Sequence, residues 1–256
     1  MVVQAGWEMM EPFFPLTTAG ALSIVAPTHA FTTRALRFRD DTAAADWATL
    51  SAHLATPPSD IVRVSQVHGR KVLVIDPARS PWSGAGQTIE ADAIVCTDPA
   101  LAIAVRVADC VPILIADRSR RVVAAIHAGW RGTCAGVTAA TIESIESIDE
   151  LGVAAADLVA TIGPSMGGCC YQVDDKVRVA FLGMTPDAVA WFAEDGPGHW
   201  TLDLWRANRD QLEAAGVPPA NIHTMGVCTK HDHARCWSYR MDGAGAGRMV
   251  AAIRMG

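Results

Sequence analysis

LAIAVRVADCVPILIAD, residues 101–117, followed after a polar break by RVVAAIH at 121–127, decides the architecture. The runs 101–107, 111–117 and 121–127 are short, rich in β-branched residues and bounded by turn formers such as Asp117-Arg118-Ser119. Such runs read as buried strands rather than helices. Arg106 and Asp109 interrupt the most apolar stretch, which is too short and too polar to cross a bilayer.

Working outward, the same signals predict strands at 22–26, 61–67, 71–75, 92–96, 157–163 and 248–254. A helix is predicted over 133–147, opening after Gly132. Another spans 203–215, with Asp203 as its N-cap, Gly216 at its end and Val217-Pro218-Pro219 blocking continuation. Several strands precede the first helix and strict βαβ alternation is absent, which argues for an α+β fold with mixed β-sheets. Neither a repeat nor a low-complexity linker divides residues 1–256, so one domain is expected.

Half of the residues are hydrophobic and 19% are charged, the balance of a packed chain and not a disordered one. The net charge is -6 and no Lys/Arg run stands out, so no nucleic-acid footprint is visible. The first residues carry Glu8 and Glu11 and no basic n-region, unlike a signal peptide. Seven widely spaced cysteines do not form a secreted disulfide framework and fit reduced thiols in a cytoplasm.

Polar residues capable of chemistry sit where the strands end. Ser65-Gln66-Val67-His68-Gly69 closes one strand, Ala108-Asp109-Cys110 separates two, and His127-Ala128-Gly129-Trp130-Arg131-Gly132 closes another. Loops at strand ends converge on pockets. Two histidines and a cysteine suit zinc with an open fourth position, or copper. Their spacing is no local metal motif, however, and chemistry alone favours a buried thiol with two hydrogen-bonded histidines.

Other stretches compete. Gly163-Pro164-Ser165-Met166-Gly167 has the G-x-S-x-G form of a nucleophile elbow, with Asp203 and His231 as conceivable partners. Pro164 restricts that turn, and a glycine-rich turn is the preferred reading. Cys169-Cys170 is expected to be a pair of buried, inert thiols. His231-x-His233, flanked by Cys228 and Cys236, looks like half a copper site but is better read as a polar surface loop. The chain has no C-x-x-C, which removes the zinc deaminase superfamily.

The blocks SQVHG, ADAIV, VADCVPILIAD, HAGWRG, IGPSMGGCCYQV and SYRMDGAGAGR, in this order, resemble the YfiH-type family, also called the polyphenol-oxidase laccase-domain or purine nucleoside phosphorylase family. The resemblance runs from HAFTTR at 29–34 to GRMVAAI at 247–253, with Ala30 where the family often has glycine. It implies a four-layer α/β/β/α arrangement with mixed β-sheets. It also implies a zinc or copper site of His68, Cys110 and His127, serving phosphorolysis of adenosine, inosine and methylthioadenosine and deamination of adenosine. Some bacterial members are described as peptidoglycan editing factors.

Arg34, Arg131 and Arg240 lie inside the matched blocks and are candidates for holding substrate phosphate. The implied partners are therefore a small nucleoside and phosphate, with no nucleic acid or membrane, and the chain a monomer or weak homodimer. Two further chemistries stay open: a metal-independent hydrolase with Cys110 as nucleophile and His127 as base, acting on a peptidoglycan precursor or other small molecule, and a single-copper phenol oxidase. A full multicopper oxidase is excluded by counting, because its trinuclear cluster alone takes about eight histidines and the chain has eight in total.

Overall fold

The computed structural model describes residues 10–15, 20, 22–25, 28–39, 43–79, 82 and 89–256. Among these, the strands in chain order are β1 (Thr28–Phe31), β2 (Ile61–Val62), β3 (Val72–Ile75), β4 (Ala93–Cys96), β5 (Ala102–Val107), β6 (Val111–Asp117), β7 (Val123–Ala128), β8 (Leu158–Ile162), β9 (Gln172–Asp174), β10 (Phe192–Glu194), β11 (His199–Leu202), β12 (Ile222–Thr224) and β13 (Met249–Arg254). The helices are α1 (Leu22–Val25), α2 (Ala43–Leu54), α3 (Trp130–Ala135), α4 (Val137–Glu146), α5 (Asp175–Met184), α6 (Leu204–Ala214) and α7 (Tyr239–Asp242).

One sheet runs β12-β8-β6-β7-β4-β3, a second β1-β13-β5-β2, and a small third β10-β11-β9. The first two are mixed. β12–β8, β4–β3 and β5–β2 pair parallel, and their other neighbours pair antiparallel. The α+β fold with mixed sheets expected from the sequence is therefore present.

Alternation along the strands explains the packing, because successive side chains of a strand face opposite ways. In β6, Val111, Ile113 and Ile115 join an apolar cluster with Val137, Ile142 and Ile145 of α4 and Leu204, Ala207 and Leu212 of α6. Leu114 and Ala116 of the same strand instead meet Ile103, Val105, Ala251 and Ile253 from β5 and β13. The opposite faces of those two strands, through Ala102, Ala104, Val250 and Ala252, cover Trp47, Leu50 and Leu54 of α2. A strand covered on both faces reads as a continuous apolar run, which is why VPILIAD is buried throughout.

Three expectations need correction. The run at 22–25 is helical, its Leu22 and Val25 buried among the two sheets' side chains, and residue 26 lies outside the described residues. A short apolar run does not distinguish a strand from a buried helix. The strand predicted over 61–67 is only Ile61–Val62, followed by an isolated bridge of Ser65 with Glu90. The helix predicted over 133–147 starts earlier, at Trp130, and breaks at Gly136, whose φ of 80° is a left-handed conformation that glycine adopts without strain. The helices α2 and α5 and the small sheet carried no strong periodic signal. By contrast, α6 is capped as predicted, with Asp203 accepting the Arg206 amide at 3.0 Å.

Ile115 is fully buried at the centre of the six-stranded sheet. Ile115→Ala should cost roughly 2–5 kcal/mol of stability through lost burial and a residual cavity. Urea unfolding measures this, and a loss below about 1 kcal/mol would mean the core re-collapses around the site.

Candidate metal centre

Two strand ends and one loop meet at one end of the sheets. β6 begins directly after Cys110, and His127 lies in register with Pro112 on the neighbouring strand β7. That pairing carries Cys110 alongside the end of β7. Counting by twos along the strand, His127 shares the face of Val123 and Ala125, which looks toward the four-stranded sheet. His68 comes in from the loop after β2. Its ring lies 4.8 Å from that of His127, nearly perpendicular to it. Cys110 Sγ is 3.9 Å from His68 Nε2. One ligand atom from each of His68, Cys110 and His127 falls within 4.8 Å of the others.

Gly129 is required by this convergence. A Cβ there would stand 2.9 Å from Cys110 Sγ and 3.0 Å from His68 Cδ2, inside van der Waals contact.

Asp92 organises both histidines. It is fully buried at the start of β4. Its Oδ1 accepts from His127 Nδ1 at 2.8 Å and from the His68 amide at 2.9 Å. Its Oδ2 accepts from the Gly69 amide at 2.6 Å and the Val67 amide at 3.3 Å. The bond to Nδ1 fixes the tautomer of His127 and leaves Nε2 free for the centre, the carboxylate–histidine arrangement common behind metal ligands. The bonds to the loop hold His68 at φ 60°, a left-handed conformation that costs a non-glycine residue about 1–3 kcal/mol. The sequence contains this residue in ADAIV, but nothing in its local pattern marks it as more than the start of a strand.

The charges reinforce one another. Burial alone would raise the Cys110 thiol, but the charge and hydrogen bonding of His127 outweigh it, and the pKa falls to about 6. Burial would lower His127, yet the Cys110 thiolate and Asp92 raise it to about 9. Burial would likewise raise Asp92, and its hydrogen bonds from His127 and the Gly69 amide bring it below the ordinary carboxylate value. At neutral pH the trio is thus a thiolate beside an imidazolium. A cation taking the imidazolium proton's place would neutralise the same thiolate. Two imidazoles, one thiolate and an orienting carboxylate form a donor set that fits zinc or copper.

The arginines part company. Arg34 is turned to the C-terminal segment: Nη1 donates to the His233 carbonyl at 2.6 Å, Asp242 lies at 3.9 Å, and the guanidinium stacks on Trp237. Arg240 lies over the Tyr171 ring, and its amide donates to Asp109 Oδ2 at 2.7 Å. Tyr171 was not singled out in the sequence. Its phenol is pushed up to about 12, chiefly by burial and also by the Cys110 charge, with Arg240 and Arg131 acting in the opposite direction. Tyr171, Cys110, Arg131 and Arg240 therefore share one electrostatic neighbourhood. Arg248, also unmarked in the sequence, has its pKa lowered by burial and by the charges of Arg39 and Arg106, while Cys110 favours its charged form.

The G-x-S-x-G stretch is no nucleophile elbow. Ser165 is fully buried; its Oγ donates to the Gly163 carbonyl and accepts from Trp205 Nε1 at 2.6 Å. Asp203 caps a helix, and His231 lies against Cys169 and Cys170. Gly163 and Gly167 make room for rings, since a Cβ on either would collide with Phe31 or Trp205. Cys169 is exposed and Cys170 half-buried, against the expectation of buried thiols. His233 bonds Asp242 at 2.8 Å and Cys236 is buried elsewhere, so no copper half-site spans 231–236.

Residues 28–256 match the family described as multi-copper polyphenol oxidoreductase laccase. Purine nucleoside phosphorylase YlmD of Geobacillus stearothermophilus is 36% identical over 208 residues, covering 80% of this chain and 75% of that protein. A purine nucleoside phosphorylase of Deinococcus radiodurans is 34% identical over 270 residues, covering 96% and 94%. The crystal structure of the Geobacillus YlmD superposes with a TM-score of 0.81 at 29% identity, over 89% of this chain and 91% of that one. That of a Bacillus licheniformis hypothetical protein, YfiH, gives 0.80 at 27%, over 89% and 92%.

Two measurements probe this geometry. Asp92→Asn should weaken zinc binding by roughly 10–100-fold, the usual effect of losing a group that orients a ligand; an affinity within about twofold of wild type in a chelator competition would remove Asp92 from that role. In metal-free protein, alkylation of Cys110 followed by peptide mapping should rise with pH around a midpoint near 6, because the thiolate forms as pH climbs through its pKa. A midpoint at the ordinary thiol value would contradict the thiolate–imidazolium pair.

Proposed function

The chain belongs to the family described as multi-copper polyphenol oxidoreductase laccase, and on that premise we propose that it is a metal-dependent purine nucleoside phosphorylase of the cytoplasm. Its substrates are adenosine, inosine and methylthioadenosine with inorganic phosphate, and deamination of adenosine is a side activity. The observation that carries this is the convergence of His68, Cys110 and His127 on one point, with Asp92 behind both histidines. The relatives named purine nucleoside phosphorylase support the reaction class. A laccase reaction on four coppers is not proposed, because eight histidines do not supply the ligands. Among the described residues no helix is long and apolar enough to cross a membrane.

A zinc or copper ion held by His68, Cys110 and His127 would supply Lewis acidity and activate phosphate or water. The chain's own residues do the rest. Arg240 and Arg131, around Tyr171, and Arg248, crowded by Arg39 and Arg106, offer an excess of positive charge that an incoming phosphate relieves. Tyr171 stays protonated at neutral pH, so its phenol can donate a hydrogen bond to the departing purine. The buried setting of His127 and Asp92 keeps water from competing with these bonds.

A second reading has its own support. A Cys110 thiolate with a cationic His127 is also the resting state of a cysteine nucleophile.

Adenosine incubated with the protein should give adenine and ribose 1-phosphate only when phosphate is present. Cys110→Ala should lose the metal held at His68, Cys110 and His127 together with activity, and chelated wild type should be inactive until zinc is returned. If stripped enzyme keeps full activity while Cys110→Ala has none, the cysteine-nucleophile reading replaces the metal one. Arg240→Ala should raise the KM for phosphate by roughly tenfold or more while changing that for nucleoside less, as expected for a lost charge-assisted hydrogen bond. An unchanged phosphate dependence would take Arg240 out of the phosphate site.

A further inference from the structure

The described residues contain a second group of donors that the reaction above does not use. Cys169, Cys170, Cys228 and His231 each offer an atom within 4.8 Å of the others. Cys169 Sγ and Cys170 Sγ are 3.6 Å apart. His231 faces both sulfurs, Nδ1 at 3.7 Å from Cys169 and Nε2 at 3.3 Å from Cys170. The chain holds the sulfurs in place without an ion. The amides of Cys170 and Tyr171 bond the Gly167 carbonyl at 2.9 and 3.1 Å, forming a tight turn. Gly168 fits that turn only because it lacks a Cβ, which would meet Asp203 at 2.8 Å. The Gly167 amide donates to Cys228 Sγ at 3.4 Å, a bond of the kind that steadies a thiolate ligand.

We propose that Cys169, Cys170, Cys228 and His231 form a second, structural zinc site that staples the 165–171 turn to the 227–231 loop. Three thiolates and one imidazole are a complete tetrahedral zinc set, with no open position for substrate. Cys169 and His231 are exposed, which gives an ion an entry path. Neither half of the set is a metal motif by sequence: the two cysteines are adjacent, and Cys228 and His231 lie far along the chain. The parallel bridge between Ser165 and Cys228 unites them.

The site also has a structural reach. The Met166 amide bonds the Asp109 carbonyl at 2.9 Å and Thr229 Oγ1 donates to Asp109 Oδ1 at 2.6 Å. Asp109 itself sits at φ 86°, next to Cys110. Both stapled segments therefore brace the residue that positions Cys110, and the turn continues directly into Tyr171.

The proposal does not rest on the phosphorylase reading, and its test avoids activity. Cys110→Ser, which removes the thiolate of the first centre, is loaded with zinc under reducing conditions, desalted and analysed for metal. It should keep about one zinc per chain, the capacity of one closed site. Cobalt loading of the same variant should give a strong thiolate-to-metal absorption. Adding His231→Ala or Cys228→Ser should abolish both signals; the exposed His231 position provides a variant whose fold is checked by circular dichroism. Zinc should also slow proteolysis within 165–171 in Cys110→Ser but not in Cys110→Ser/His231→Ala. A reduced Cys110→Ser protein that holds no metal overturns the site. So does metal retained after His231→Ala and Cys228→Ser together, or a Cys169–Cys170 disulfide found in protein purified with zinc and no oxidant.

Discussion

One buried carboxylate ties the centre together. Asp92 receives four hydrogen bonds, one from the ring of His127 and three from the loop that carries His68. A buried charge is costly unless it is fully bonded, and here every bond it gains also sets the position of a candidate ligand. The left-handed turn at His68 and the tautomer of His127 are two consequences of the same group. Removing it would free the loop and the ring together, and so the two histidines are coupled although they lie on separate elements.

The sheets supply the rigid frame for that carboxylate. Asp92 stands immediately before β4, beside β7, where the His127 amide also bonds the Asp92 carbonyl at 2.7 Å. β6 lies on the other side of β7 and starts one residue after Cys110. Three adjacent strands thus fix the carboxylate, one imidazole and the thiol to within the tolerance of a packed core. Only His68 hangs on a loop, and that loop is the one Asp92 ties down. A site built on strands with a single tethered loop is better ordered than one built on loops alone.

Charge then decides what such a site favours. Crowding the Cys110 thiol against the buried His127 ring and Asp92 stabilises the thiolate and the imidazolium against each other. An ion of positive charge fits the same balance, and arginines gathered around Tyr171 and Arg248 extend the positive field outward for an anionic partner. The Cys169/Cys170/Cys228/His231 group differs in kind, being richer in sulfur and offering four donors, with Cys228 buried and Cys169 and His231 exposed. It belongs with bracing of the wall, through Met166 and Thr229 on Asp109, and not with substrate.

The apolar runs at 101–107, 111–117 and 121–127 were legible without coordinates, because a strand covered on both faces is apolar at nearly every position. The strand-end positions of His68, Cys110 and His127 were legible too, and the matched blocks SQVHG, ADC and HAGWRG picked out the same three. The helix at 22–25 and the break at Gly136 were not, since a four-residue apolar run and a single glycine fit more than one local conformation. Asp92, Tyr171, Arg248 and the second sulfur cluster escaped for another reason. Their roles lie in contacts between residues distant in sequence: Asp92 with His68 and His127, Tyr171 with Arg240, Cys170 with His231. Local pattern fixes which residues alternate toward a core, and so the sequence by itself determined the mixed α+β framework, while the resemblance of the matched blocks singled out His68, Cys110 and His127 as one set. Which carboxylate bonds both histidines, and which thiols meet, depends on sheet order and strand register, and those only the tertiary structure decided.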